Sequence, residues 1–261
     1  YSRLVCSLLR CRKLNPSQFK KLLWEAVEIA QQCFQPEDYL TLPTVAQRYL
    51  QSAIAPRTPL ASAVRLKMHG DLKLNSWHPF SAEQIISFPD GFIWQATVWM
   101  GGLPIRGCDR LLNNQGTMQW KLFGLLPMIS TSGEDITRSA QGRMLGELMW
   151  LPSVFCRRDV SWETLNASQI IAKVTLPEDT LPVTLTVNRE GRLETIQFPR
   201  WGNPDGKGYR RLNFGGILEA EETFEGYTIP SRIRGGWFFD GEVFSEEGEF
   251  FRAAIEVATY R

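Results

Sequence analysis

Near residue 62 the spacing of apolar side chains along this chain changes from about 3.6 residues to two. Val64, Leu66, Met68, Gly70, Leu72 and Leu74 alternate with Arg65, Lys67, His69, Asp71 and Lys73, a pattern that only a half-buried β-strand explains. Further strands read at 81–88, 92–100, 103–112 and 117–123, with Asp90-Gly91 and Asn113-Asn114-Gln115-Gly116 as the turns between them. One helical stretch interrupts the series at 134–151, where Ile136, Ala140, Met144, Leu148 and Leu151 recur on one face, Asp135 is placed to cap, and Pro152 ends the run. Strands resume at 159–165, 168–176, 182–188, 192–199, 209–224, 227–239 and 242–259. The fold class that follows is mainly β (α+β): a curved antiparallel sheet or half-barrel of about ten strands, wrapped around one inserted helix.

Before the change of period the pattern is helical. Asn15-Pro16-Ser17-Gln18 reads as a helix start, and Phe19, Leu22, Leu23, Ala26, Val27, Ala30, Cys33 and Phe34 share one face of a helix over 16–35. A second helix reads from Thr44 to Ala53, before Pro56 and Pro59 break the chain. The expected organisation is therefore an amphipathic helical segment over 1–58 and a β half-barrel over 59–261. The apolar face of 16–35 needs cover, from the β-domain, from a second copy of the chain or from another protein.

Twenty-nine Lys and Arg stand against 28 Asp and Glu, with no basic run dense enough to track phosphates, so nucleic acid is not an expected partner. Cys6, Cys11, Cys33, Cys108 and Cys156 are odd in number and lack paired spacing, which fits neither a disulfide framework nor a zinc site. A reducing, cytoplasmic setting is the simpler expectation, although the chain starts at Tyr1 and an upstream anchor or signal would lie before it. His69 and His78 have no metal-ligand spacing around them, so no metal site and no Ser-His-Asp triad is expected. Gly101-Gly102 and Gly215-Gly216 follow strands without a helix start, so they read as bends, and no cofactor or nucleotide motif is recognised.

What remains is a short set of polar residues among apolar ones. The run Met144-Leu145-Gly146-Glu147-Leu148-Met149-Trp150-Leu151 is apolar nearly all round except for Glu147, with Arg143 one turn before it on the same side. Asp109 shares a strand face with Ile105, Gly107 and Leu111, and Arg143 or Arg138 is its nearest plausible partner. Two readings are open for Glu147: a desolvated carboxylate available to a ligand or a proton, or an ion pair that locks the helix against the sheet. Trp94, Trp99, Trp120, Trp150 and Trp162 either wall a cavity for a flat or long apolar ligand or simply fill the core.

Leu42-Pro43, Tyr49-Leu50, Gly70, Trp77, Phe80, Ala82, Phe92-Ile93-Trp94, Gly107 with Asp109, and above all Arg143-x-x-x-Glu147-x-x-Trp150-x-Pro152 occur together. As a set they resemble an uncharacterised, largely bacterial family of domains of unknown function, over roughly 40–261. The order of elements also resembles the LolA/LolB-like lipoprotein-carrier half-barrel, and that resemblance implies a concave face holding an apolar ligand such as an acyl chain. It carries over no catalytic residue.

Three functions are compatible with these features. The leading one is a binding protein for an apolar or amphipathic small molecule, lipid-like or polycyclic. Trp94, Trp120 and Trp150 would supply its walls, and Asp109, Arg143 and Glu147 its polar end. The second is a cofactor-independent isomerase, cyclase or lyase in which Glu147 or Asp109 moves protons and Arg143 stabilises negative charge. The third is a scaffold or assembly subunit that docks through its N-terminal helices.

Overall fold

A computed structural model describes residues 16–176, 180–245 and 247–261. The expected helix cap at Asn15 and the cysteines Cys6 and Cys11 lie outside the described residues. The first six strands are β1 (Ala63–Lys73), β2 (Trp77–Ser87), β3 (Gly91–Met100), β4 (Leu103–Leu112), β5 (Gln115–Leu122) and β6 (Leu126–Ser132). The remainder are β7 (Ser161–Thr164), β8 (Gln169–Thr175), β9 (Thr180–Val187), β10 (Leu193–Gly202), β11 (Arg210–Phe224), β12 (Tyr227–Trp237) and β13 (Glu249–Tyr260). Together they form one 13-stranded sheet in the order β6-β5-β4-β3-β2-β1-β13-β12-β11-β10-β9-β8-β7. Every pairing is antiparallel.

Two meanders thus lie back to back, joined where β1 meets β13 in the register Val64 to Tyr260 and Leu66 to Ala258. The alternation that announced β1 sets its inner face: Val64, Leu66 and Met68 are buried, while Arg65, Lys67 and His69 face solvent. The strand absent from the sequence reading is β6, whose residues are all exposed, so no buried half marks it.

The helix α3 (Glu134–Glu147) leaves from β6 at one edge of the sheet, continues as a 3-10 turn over Leu148–Trp150, and a second such turn over Pro152–Cys156 precedes β7 at the other edge. Gly133 stands at its start, and Asp135, expected as the cap, instead accepts a hydrogen bond from Trp201 Nε1 at 2.8 Å. α3 touches both β5 and β10. In a flat sheet those two strands, eight places apart, would be separated by roughly 38 Å at about 4.8 Å per strand, whereas a helix is about 10 Å wide. The sheet must therefore curl around α3, and it is an open half-barrel. Glycines let the helix sit this close: a Cβ on Gly116 would lie 2.7 Å from the backbone of Ile136 and Thr137, and one on Gly146 2.5 Å from the Phe198 ring.

The expected helix over 16–35 is shorter than its apolar spacing implied. α1 spans Pro16–Glu25, and the chain then extends, because its backbone finds partners in a later segment. Phe34 N–H donates to Thr58 O at 2.8 Å, Arg57 N–H to Phe34 O at 2.8 Å, and Leu60 N–H to Gln32 O at 2.8 Å. Phe19 and Leu23 of α1 pack on Ile85 and Ile93, on the outer face of β2 and β3, whereas Leu22, expected on the buried side, is exposed. α2 (Thr44–Ala53) occupies the span read from the sequence and buries Val45, Tyr49 and Leu50 in the same core as the sheet, as does Phe34.

We expect Gly146→Ala to destabilise the fold despite the better helix propensity of alanine. Phe198 is buried and its ring lies 5.4 Å from that of Phe214, so it has little room to yield to the new methyl. Overpacking of this kind costs about 1–3 kcal/mol, which thermal melting reads as a fall of several degrees.

Candidate functional site

Where α3 crosses the inner face of β2 to β5, four strands and the helix bring ionisable and aromatic groups together. Arg143 is the hub. Its Nη1 donates to Asp109 Oδ2 at 3.0 Å and its Nε to Glu147 Oε1 at 2.7 Å, one helical turn on. Trp120 Nε1 donates to the other oxygen of Asp109 at 3.1 Å, and Gln84 Nε2 to the other oxygen of Glu147 at 2.6 Å. The guanidinium carbon lies 4.8 Å from the centre of the Phe92 ring and 5.0 Å from that of Trp94, so aromatic faces support the cation. Glu147 is 8% exposed.

The expected contact between Arg143 and Glu147 is present, and Arg143 rather than Arg138 is the partner of Asp109; Arg138 pairs with Glu134 and stacks on Trp201. Burial pushes the Asp109 carboxyl above its ordinary range, against the opposing pull of the Arg143 charge and the Trp120 hydrogen bond. The Arg143 guanidinium is held above its ordinary range by the Glu147 and Asp109 charges, which outweigh its own burial. All four carboxylate oxygens accept a hydrogen bond. The arrangement clamps helix to sheet.

Of the six residues read as pocket lining, the structure gathers five: Trp94, Asp109, Trp120, Arg143 and Glu147. Trp150 lies apart, its indole Nε1 donating to Pro230 O at 3.0 Å and its ring fully buried. Trp94 is buried as well, and Met144, Leu145 and Leu148 belong to the same core, so where Trp94 and Trp150 stand the space expected between sheet and helix is packed. Two polar atoms in that core, Trp94 Nε1 and Gln84 Oε1 of the register pair Gln84–Trp94, have no protein partner among the described residues.

Further along the inner face the surface changes character. Phe251, Phe80, Trp94 and Trp120 form a ladder of rings 5.5–5.8 Å apart across β13, β2, β3 and β5. The outer rungs Phe251 and Trp120, and the neighbouring Leu72 and Met100, are only half buried. Beside the ladder the residues in register are small. Gly70 pairs with Phe80 and Ala253, and Gly235 with Gly216 and Phe251. A Cβ on Gly235 would meet nothing nearer than 3.7 Å.

Arg200 on β10 was missed by the sequence reading. Its guanidinium carbon is 4.6 Å from the centre of the Phe214 ring and 5.0 Å from that of Trp237, and its Nε donates to Ser139 O at 3.3 Å. Burial and the Arg143 charge pull its pKa below the ordinary guanidinium range. No described carboxylate forms an ion pair with it. The available signal was strand alternation: Ile196, Phe198, Arg200 and Gly202 share one face of β10, which makes an inward arginine legible.

The histidines stay outside this site. His69 Nδ1 is 2.8 Å from Glu256 Oε1 on the outer surface, and His78 Nε2 is 3.1 Å from Ser76 Oγ. Cys108 and Cys156 are free thiols pushed up to about 12 chiefly by burial, which leaves them protonated and unreactive at neutral pH. Among the described residues no group of three or more His, Cys, Asp or Glu is placed to hold a metal ion.

Fold and site define a class: a half-barrel whose helix is clamped across its concave face by an Asp–Arg–Glu trio, beside a half-open aromatic ladder. A model of a family of unknown function (DUF6920) matches residues 40–260, and the chain belongs to that family. No curated protein matches it. Among solved structures it is similar to a LolA superfamily protein from Nitrosomonas europaea, with 12% identity, a TM-score of 0.46, and coverage of 84% of this chain and 92% of that one. It is also similar to a putative outer membrane lipoprotein-sorting protein domain from Vibrio parahaemolyticus, with 8% identity, a TM-score of 0.42, and coverage of 77% and 86%.

Two variants separate the parts of the clamp. Glu147→Gln leaves Arg143 short of one buried counter-charge, and we expect a loss of about 3 kcal/mol by chemical denaturation at pH 7. Asp109 has a folded pKa above its unfolded one, so its contribution to stability is fully present at low pH. That contribution is lost as pH rises from the unfolded value near 3.8 through the raised folded one. Asp109→Asn should remove that component, and the stability difference between wild type and Asp109→Asn should shift in the variant's favour between about pH 4 and pH 7. A difference that stays flat over that range would contradict the assignment.

Proposed function

We propose that the chain is a binding protein for an apolar or amphipathic small molecule, lipid-like or polycyclic, held along the aromatic ladder of the concave face. The observation that carries this reading is the half-open state of that ladder. Phe251, Trp120, Leu72 and Met100 rest on the core yet keep part of their surface in water, and beside Phe251 the sheet continues through Gly235 and Gly216, which offer no side chain. Half-exposed apolar surface on a concave face is what small-molecule sites are made of, together with a few polar groups that orient the guest. Arg200 is such a group. Set against the Phe214 and Trp237 rings and without a described carboxylate partner, it suits a carboxylate or phosphate at the polar end of the ligand. The clamp trio holds the helix that bounds the site and need not touch the ligand.

Native mass spectrometry of the freshly purified protein, followed by titration with a fluorescent fatty acid and a neutral polycyclic probe, tests this reading. Leu72→Asp should weaken both probes about tenfold by placing a charge on the ladder's edge, while a retained cooperative melting transition shows that the fold persists. Arg200→Gln should weaken the acidic probe by a similar factor and leave the neutral one unchanged. Wild type that binds neither probe at about 100 µM, and carries no co-purifying small molecule, would remove the proposal.

A further inference from the structure

The end of the sheet formed by the β3–β4 and β5–β6 hairpins carries large apolar side chains in water. Trp99, Leu103, Phe123, Leu125, Leu126 and Met128 are all exposed, Leu125 at 78% and Leu126 at 61%. The two hairpin tips are neighbours, since Ile105 pairs with Leu122 and Phe123 N–H donates to Pro104 O at 2.9 Å. A Cβ on Gly101 or Gly102 would meet nothing within 4 Å, so the first tip stands clear of the rest of the molecule. Apolar side chains on adjacent protruding turns form one patch, and a patch of this kind marks an interaction surface.

Charge and backbone decide what covers it. Between residues 91 and 133 the acidic residues reduce to Asp109, which is held by Arg143, whereas Arg106, Arg110 and Lys121 are basic. Arg106 and Lys121 are exposed and pair in register just behind the tips. A second copy of the chain would bring like charges together here. Pairing along the free edge of β6 is also obstructed, because Pro127 has no N–H to donate and the register breaks between Trp120 and Lys121. What remains is a partner that needs no strand register, takes up several alkyl and aromatic side chains at once and is negatively charged at its surface. An anionic lipid bilayer has those properties.

We infer that the two hairpin tips form a peripheral docking surface for an anionic lipid bilayer, with Leu125, Leu126 and Phe123 entering the interface and Arg106 and Lys121 facing the headgroups. No described helix is long and apolar enough to cross a membrane. It is independent of what the ladder on the concave face binds.

Co-sedimentation of the full chain with vesicles tests it, using phosphatidylcholine alone and a roughly 70:30 mixture of phosphatidylcholine and phosphatidylglycerol. Wild type should pellet with the mixed vesicles, less with the neutral ones, and less as salt is raised. Leu125→Ser with Leu126→Ser should lower the partition coefficient about tenfold or more, and Arg106→Gln with Lys121→Gln should remove most of the dependence on anionic lipid and salt. Both pairs are exposed, so their melting temperatures should match wild type, which separates lost docking from lost folding. Wild type that stays in the supernatant overturns the inference. So does a Leu125→Ser, Leu126→Ser variant that pellets like wild type, or a wild-type dimer that this variant converts to monomer without any vesicle binding.

Discussion

A helix that joins the two outermost strands of one sheet has to pass across a face of that sheet, and α3, between β6 and β7, does so on the concave side. Most of the architecture follows from that path. The sheet must curl until β5 and β10 both reach the helix, and small residues must appear where backbone and helix meet: Gly116 under Ile136, Gly142 beside Arg200, Gly146 against Phe198. Met144, Leu145 and Leu148 then fill the enclosed volume, so the middle of the half-barrel is solid and only the strip beyond the helix remains half open.

The Asp109–Arg143–Glu147 trio answers the question of how such a helix is held in one register. Apolar side chains on a helix tolerate sliding and rotation, because area is buried whichever ridge meets the sheet. A guanidinium with two carboxylates on fixed sides, stacked on Phe92 and Trp94, has one satisfactory position. Desolvation opposes the attraction within such a buried trio, and at Asp109 burial outweighs the pull of Arg143 and displaces the carboxyl upward. Breaking the trio is the large loss, because removal of one partner leaves a buried charge uncompensated.

Those physical causes also explain how much was legible in the sequence. Strands with one wet and one buried face declare themselves by alternation, and tight turns such as Asp90-Gly91 fix which strands are neighbours, so both meanders could be read. The junction of β1 with β13 could not, because no turn joins them and an alternating strand accepts many partners. β6 was silent for want of a buried face. The overlong first helix has the opposite origin: Ala26 to Phe34 keeps helical spacing, but pairing of residues 32–34 with 57–60 outweighs that local preference. Glu147 was conspicuous as the lone charge in an apolar helix, and its i, i+4 arginine named its partner. Arg200 was hidden because charge on a strand is ordinary, and only its place on the inward face makes it unusual.

The two edges of the sheet are finished differently, and this asymmetry bears on function. β7 is four residues long, and Glu163 there pairs with Lys173 of β8 at 2.9 Å, so that edge is short and charged on its surface, as free edges in monomers commonly are. β6 carries no charged side chain, and Pro127 together with a register break guards its backbone while Leu126, Met128 and Ile129 stay exposed. Protection of the backbone alone blocks strand addition and leaves hydrophobic contact available. An edge treated in that way is suited to a partner without hydrogen-bond register. The half-open ladder lies on the inner face of the same wing, through Trp94 and Trp120, so an apolar guest arriving from such a surface would have a short path to the ladder.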